Sequence, residues 1–151
     1  MADKVYTNDG VLLSRIMRDH LNKWPERPSD VQLEDHGREM PSMMIQQLAA
    51  AVKKRAYVNG SYIGSWMFSV YIQVDAKDTA TRLDALKILT DLDEWLNLKD
   101  PEGHFVNLPV IDPKRTAIQI MMPNAPSVSA KYESGVEEYQ AIFEMKYKYS
   151  V

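Results

Sequence analysis

The sequence predicts an α+β domain, a mainly antiparallel sheet with two helices packed on one face. Three observations predict it. From Tyr139 to Tyr149 the odd positions are Tyr, Ala, Phe, Met, Tyr and Tyr, and the even positions are Gln, Ile, Glu, Lys and Lys. This is strand alternation with only Ile142 out of step. In residues 62–74, Trp66, Phe68, Val70, Ile72 and Val74 fall on one face, with Met67, Ser69, Tyr71 and Gln73 on the other. Two further stretches repeat their apolar residues at spacings of three and four, which is the mark of amphipathic helices.

Each element has its own local reason. Residues 1–7 carry no pattern and are expected to be flexible. Asn8 or Asp9 caps a helix that begins near Gly10. Val11, Leu12, Leu13, Ile16, Met17, His20, Leu21 and Trp24 make its stripe, and Pro25 stops it. Residues 37–41 read as a turn and 42–48 as a strand. Residues 49–58 are ambiguous. Their alanines favour helix, whereas their place between strands and the following Asn59-Gly60 favour a hairpin arm over 49–65. Strand is the reading taken.

Asp78 or Thr79 caps the second helix, over 79–97. Leu83, Leu86, Leu89, Leu92, Trp95 and Leu96 form its stripe, and Asp78, Asp84, Asp91, Asp93 and Glu94 leave its outer face acidic. Residues 106–111 and 116–122 read as strands. Residues 123–135 hold two prolines and no periodicity, so a long loop is expected there, of a length that is usually functional or mobile. The last strand can pair with 116–122 or with 62–74.

Composition narrows the function classes. The 151 residues suit one domain, and the net charge of −3 gives no electrostatic case for nucleic-acid binding. There is no cysteine, hence no disulfide or thiolate chemistry, and cytosolic synthesis is the natural reading. No apolar run is long enough to span a bilayer, and the first residues lack the apolar core of a signal peptide. Nine methionines, with Met43-Met44 and Met121-Met122 as pairs, fit flexible core filling or an adaptable contact surface.

The catalytic and cofactor patterns looked for do not occur. His20, His36 and His104 are spaced too far apart for a helical metal pair. His20 lies on the first apolar stripe and reads as a core or interface residue. A Ser-His-Asp set stays open, although no Gly-x-Ser-x-Gly elbow is present. Gly60 and Gly64 read as turn glycines of a hairpin, not as a phosphate loop. Asp91, Asp93 and Glu94 diverge around a helix and form a solvated face, not a calcium loop. Lys53-Lys54-Arg55 is the one basic cluster. It reads as a protected sheet edge, or as a partner for an acidic face on a neighbouring subunit. No catalytic residue, cofactor or metal is therefore expected.

One combination of segments is familiar. A helix opens with Val11-Leu12-Leu13-Ser14-Arg15-Ile16. A strand region follows at Pro41-Ser42-Met43-Met44-Ile45-Gln46 and over 57–74. The chain ends with Met122-Pro123, a long loop, and Ser134-Gly135-Val136-Glu137-Glu138-Tyr139-Gln140-Ala141-Ile142-Phe143-Glu144. This layout resembles the minor capsid and tail-terminator (head–tail joining) proteins of long-tailed bacteriophages. The resemblance implies a virion protein of a phage or prophage, made in the bacterial cytoplasm. It implies a ring, a hexamer in that family, that caps the tail tube and meets the head connector, without a membrane or sequence-specific nucleic acid. On this reading Lys53, Lys54, Arg55 and Tyr57 on the arm, and Tyr132, Glu137 and Glu138 at the loop and final strand, carry the assembly contacts. Two alternatives stand beside it. One is a tail-tube subunit. The other is a small-molecule-binding domain with a pocket between the second helix and the sheet, lined by Trp66, Tyr71 and Trp95.

Overall fold

The two alternating segments pair with each other. In the computed structural model, which describes residues 5–36 and 39–151, the elements run in chain order as follows. They are β1 (Val5–Tyr6), α1 (Gly10–Leu21), β2 (Val31–Leu33), β3 (Ser42–Gln47), β4 (Val52–Ala56), β5 (Tyr62–Asp75), α2 (Thr79–Leu96), β6 (Val110–Asp112), β7 (Arg115–Met121), β8 (Ser127–Lys131) and β9 (Val136–Tyr149). β5 and β9 are 14 residues each and lie antiparallel in unbroken register, from Tyr62 opposite Tyr149 to Asp75 opposite Val136. They form the spine of a nine-stranded, mostly antiparallel sheet. The fold is thus α+β, with the two helices that the apolar spacing predicts.

Each edge of the spine carries two strands laid end to end. β3 and β4 both run antiparallel to β5, β3 against 68–73 and β4 against 62–65. β7 and β8 both run antiparallel to β9, β7 against 144–149 and β8 against 137–140. The final strand therefore takes both pairings left open by the sequence, one on each side. Outside these, β2 adds in parallel to β3, β1 to the start of β4, and β6 to β7.

The register decides the core. Directly opposite residues of an antiparallel pair share a face. Even residues of β5 and odd residues of β9 therefore form one side, which is buried except at its end, where Tyr149 is half-buried. Trp66 stacks on Phe68 at 4.8 Å and Phe68 on Phe143 at 5.4 Å between centroids. α1 brings Leu13, Met17 and Leu21 to this core, and α2 brings Ala85, Leu89, Leu92 and Leu96. The opposite face has no helix over it. There Met44, Ile63, Tyr71 and Ile142 are half-buried among Gln46, Gln73, Gln140, Lys146 and Glu144.

Several expectations need correction. Val5 and Tyr6 are not loose but pair with Val52 and Lys53, while residues 1–4 lie outside the described residues, as do Gly37 and Arg38 of the expected turn. The expected loop over 123–135 contains β8. Its residues are largely exposed on a sheet edge, so no alternation marks it. The strand expected over 106–111 begins only at Val110. In α2, Leu83 is 60% exposed and Ala85 takes the inward place, giving the buried series 85, 89, 92, 96. Asp78 caps α2 by accepting from the Thr81 amide at 2.9 Å, but Asp9 makes no such bond at α1.

Gly64 is also not a turn glycine. It sits inside β5 opposite Tyr147. A Cβ there would lie 2.4 Å from Cζ of the Tyr147 ring. The missing side chain is the space into which that ring lies. Gly60, by contrast, has φ +93° and does belong to the hairpin turn. Gly64→Ala is expected to cost about 1–3 kcal/mol in urea unfolding, as overpacking does. The cost should shrink in a Tyr147→Ala background, because the colliding ring is then gone.

Candidate functional site

Sequence reasoning missed the most heavily bonded polar group of the fold. Asp9, just before α1, is 3% exposed. Its Oδ2 accepts from the Tyr62 hydroxyl at 2.5 Å and from the Tyr147 hydroxyl at 2.6 Å. Its Oδ1 accepts from Arg115 Nε at 3.2 Å and Nη2 at 2.9 Å. Arg115 also donates through Nη1 to Asp112 across the β6–β7 turn at 2.7 Å. The Arg115 guanidinium lies 5.0 Å from the centre of the Tyr149 ring, which stacks on Tyr62 at 4.9 Å. Lys53 Nζ stands 4.7 Å from the centre of the Tyr62 ring.

The electrostatics follow from these contacts. Burial opposes ionisation of Asp9, but the two hydroxyls and Arg115 outweigh it and hold the carboxyl below its ordinary value. Burial, then Asp9, pushes the Tyr62 hydroxyl up to about 12. Burial and Asp9 raise Tyr147 as well. The cluster joins α1, the base of the β4–β5 hairpin, the β6–β7 turn and the end of β9. It is a structural clamp. A signal for it was present in the odd-numbered tyrosines of the last strand, but which carboxylate they meet depends on tertiary contact.

A second polar cluster lies on the helix-free face. His36 Nδ1 is 2.6 Å from Ser42 Oγ, and His36 Nε2 is 3.4 Å from Glu138 Oε2. Glu138 also accepts from Gln73 at 3.0 Å and Ser129 at 2.9 Å. Burial pushes the imidazole down against the pull of Glu138. The order serine, histidine, glutamate is that of a nucleophile relay. However, Ser42 is buried, and the next amide, Met43 N–H, already donates to Ser29 Oγ at 3.0 Å. A serine nucleophile needs free donors for the oxyanion it creates. The cluster ties the segment before β3 to β8 and β9.

The expected assembly residues separate into two groups. Every residue from Lys54 to Gly60 is exposed, so Lys54, Arg55 and Tyr57 do reach solvent, with Val58 fully exposed at the tip. Lys54 occupies a bulge between Lys53 and Arg55, which turns it out of the ladder. Tyr132 is exposed in the β8–β9 turn. Lys53 is instead held half-buried on Tyr62. Glu137 is 4% exposed and accepts from Arg82 Nε at 2.8 Å, which holds its carboxyl below the ordinary value. Glu138 is bound as described above. Glu137 thus has almost no surface to offer a partner, whereas Glu138 is half-buried.

The aromatics expected to line a pocket do not converge. Trp66 is in the core, Tyr71 is on the opposite face of the sheet, and Trp95 packs near His20 at 5.1 Å. His20 donates from Nε2 to the Asn107 carbonyl at 2.6 Å and is a packing residue. Among the described residues, no group of three or more acidic or histidine side chains is placed to hold a metal ion, and no helix is long and apolar enough to cross a membrane. No protein-family model and no curated protein matches this chain.

Asp9 supplies a pH-dependent test. Its folded carboxyl titrates below the ordinary value of 3.8, so the stability it contributes is full above that pH and is lost as the pH falls through the folded value. Asp9→Asn is expected to cost about 3 kcal/mol or more near neutrality, because it leaves Arg115 without its buried partner. It should also flatten the acid side of the stability curve in urea titrations from about pH 7 to about pH 3. An equal loss at every pH would contradict the ionic account.

Proposed function

We propose that the chain is an architectural subunit of a bacteriophage or prophage virion, of the minor-capsid or tail-terminator type. In this reading it closes into a ring, a hexamer, that caps the tail tube and meets the head connector. The layout of segments quoted above is what points to that class. The observation that carries an assembly role is the β4–β5 hairpin tip. It presents a continuous exposed run, Lys54 to Gly60, with an apolar residue at its apex and cations behind it. Tyr57 and Val58 there are exposed, and a partner that covers them removes their apolar area from water.

Two further features support a subunit that joins others. The outer edge of β8 has no strand partner among the described residues. Unpaired edges are ready sites for strand addition. The sheet also leaves one face without helices, and its mixture of half-buried apolar and polar side chains suits burial against another surface.

Light scattering after size-exclusion chromatography, from micromolar to near-millimolar protein, tests the ring. The expected result is a discrete species of about six times the 17.3 kDa monomer. Electron micrographs of that species should show closed rings. A strict monomer that also fails to bind isolated tail tubes would overturn the reading.

A further inference from the structure

The hairpin tip has a complement elsewhere on the same molecule. Beyond the end of α1 and along the last turns of α2 lies a groove of about 350 Å³. Trp24, Trp95 and Leu98 supply its apolar lining, and Glu26, Asp91 and Glu94 supply carboxylates around it. Its one cation, Lys87, is already engaged with Asp91 at 2.6 Å. Leu98 is exposed. The groove is therefore apolar in its floor and negative at its rim.

The hairpin has the opposite character. No acidic residue occurs from Met40 to Val74, so no acidic side chain within the hairpin or the strands leading into it offsets Lys54 and Arg55. Arg55 lies over the Tyr57 ring, 5.5 Å from its centre, which holds a cation beside the exposed aromatic. Tyr57 and Val58 stand at the apex. An apolar apex flanked by cations matches an apolar floor flanked by carboxylates.

We infer that the β4–β5 hairpin of one copy docks in the α1–α2 groove of the next, with Val58 against Leu98 and the tryptophans, and Lys54 and Arg55 against Glu26 and Glu94. This rests on the ring-forming reading above and names its contact. The two surfaces share no residue, so the contact is heterologous. Such a contact repeats head to tail until the rotation closes a ring. The complementary charge fixes the orientation of approach and makes assembly weaken with salt. The second copy is chosen over a different partner because both halves of the match, apolar and ionic, are present on this one chain.

The absence of cysteine makes a direct test clean. Chains carrying only Val58→Cys are mixed with chains of different mass carrying only Leu98→Cys, then oxidised. The expected product is the mixed disulfide dimer, well in excess of either homodimer. Chains with both substitutions should give a ladder of covalent multimers. Both positions are exposed, so neither change threatens the fold. In parallel, Lys54→Glu with Arg55→Glu should abolish the oligomer, as should Glu26→Lys with Glu94→Lys. Combining all four substitutions in one chain should restore it. A ring by light scattering with no excess of mixed dimer, and no effect of either charge reversal, would overturn this contact while leaving the ring reading in place. Neither ring nor cross-link at near-millimolar protein would overturn the contact and remove the physical support for the ring as well.

Discussion

The carboxylate of Asp9 is the point on which the arrangement of segments depends. It takes hydrogen bonds from the starts of β5 and β7 and from the end of β9, and it sits where the chain enters α1. A buried charge is costly unless every lone pair finds a donor. Here two phenols and a guanidinium meet it, and each is fixed by other contacts. Tyr62 is stacked on Tyr149, Arg115 is bound to Asp112, and Tyr147 lies in the space left by Gly64. Removing Asp9 would leave two hydroxyls and part of the guanidinium without their acceptor. The clamp also steadies the base of the hairpin, whose tip is the most exposed part of the sheet.

The apolar half of the fold is built on a different constraint, the unbroken register of β5 with β9. Because the two strands match residue for residue, parity alone sends Trp66, Phe68 and Phe143 to one side and Tyr71, Gln73 and Glu138 to the other. Both helices can then serve a single core. The flanking strands are interrupted, β3 from β4 and β7 from β8, so that each long edge is covered in two pieces. Side chains on the interrupted edges are free to take other duties, as Gln47 does in accepting from Trp66 Nε1 at 2.9 Å.

What could be seen in the sequence was whatever has a period. The long strands, the hairpin turn at Asn59-Gly60 and the two helices all declare themselves by spacing. β1 and β8 do not, because exposed edge strands need no apolar side. The inward face of α2 departs from the leucine spacing in its first turns, where Ala85 packs inward and Leu83 faces out. The clamp is legible only in its tyrosines, which the odd positions of the last strand display. Nothing local marks Asp9 as a buried acceptor in place of a helix cap, or Gly64 as the seat of a ring. Both depend on which strand lies opposite. The residues expected at an interface divide for the same reason: exposure along the hairpin follows from its turn, whereas Glu137 is buried where Arg82 of α2 and the β8 strand lie against it.

The spine has a cost in time. Its two strands bracket α2, β6, β7 and β8, so the central pairing cannot form from neighbours in the chain. A long loop must close before any of its bonds repay the lost entropy. The β3–β4–β5 portion is local and can form first, leaving the far edge of β5 unpaired until β9 arrives. A chain of this design is slow to complete, and while incomplete it is open to pairing with the wrong copy. Folding yield should therefore fall with concentration, under the same crowding of chains that favours assembly once the last strand is in place.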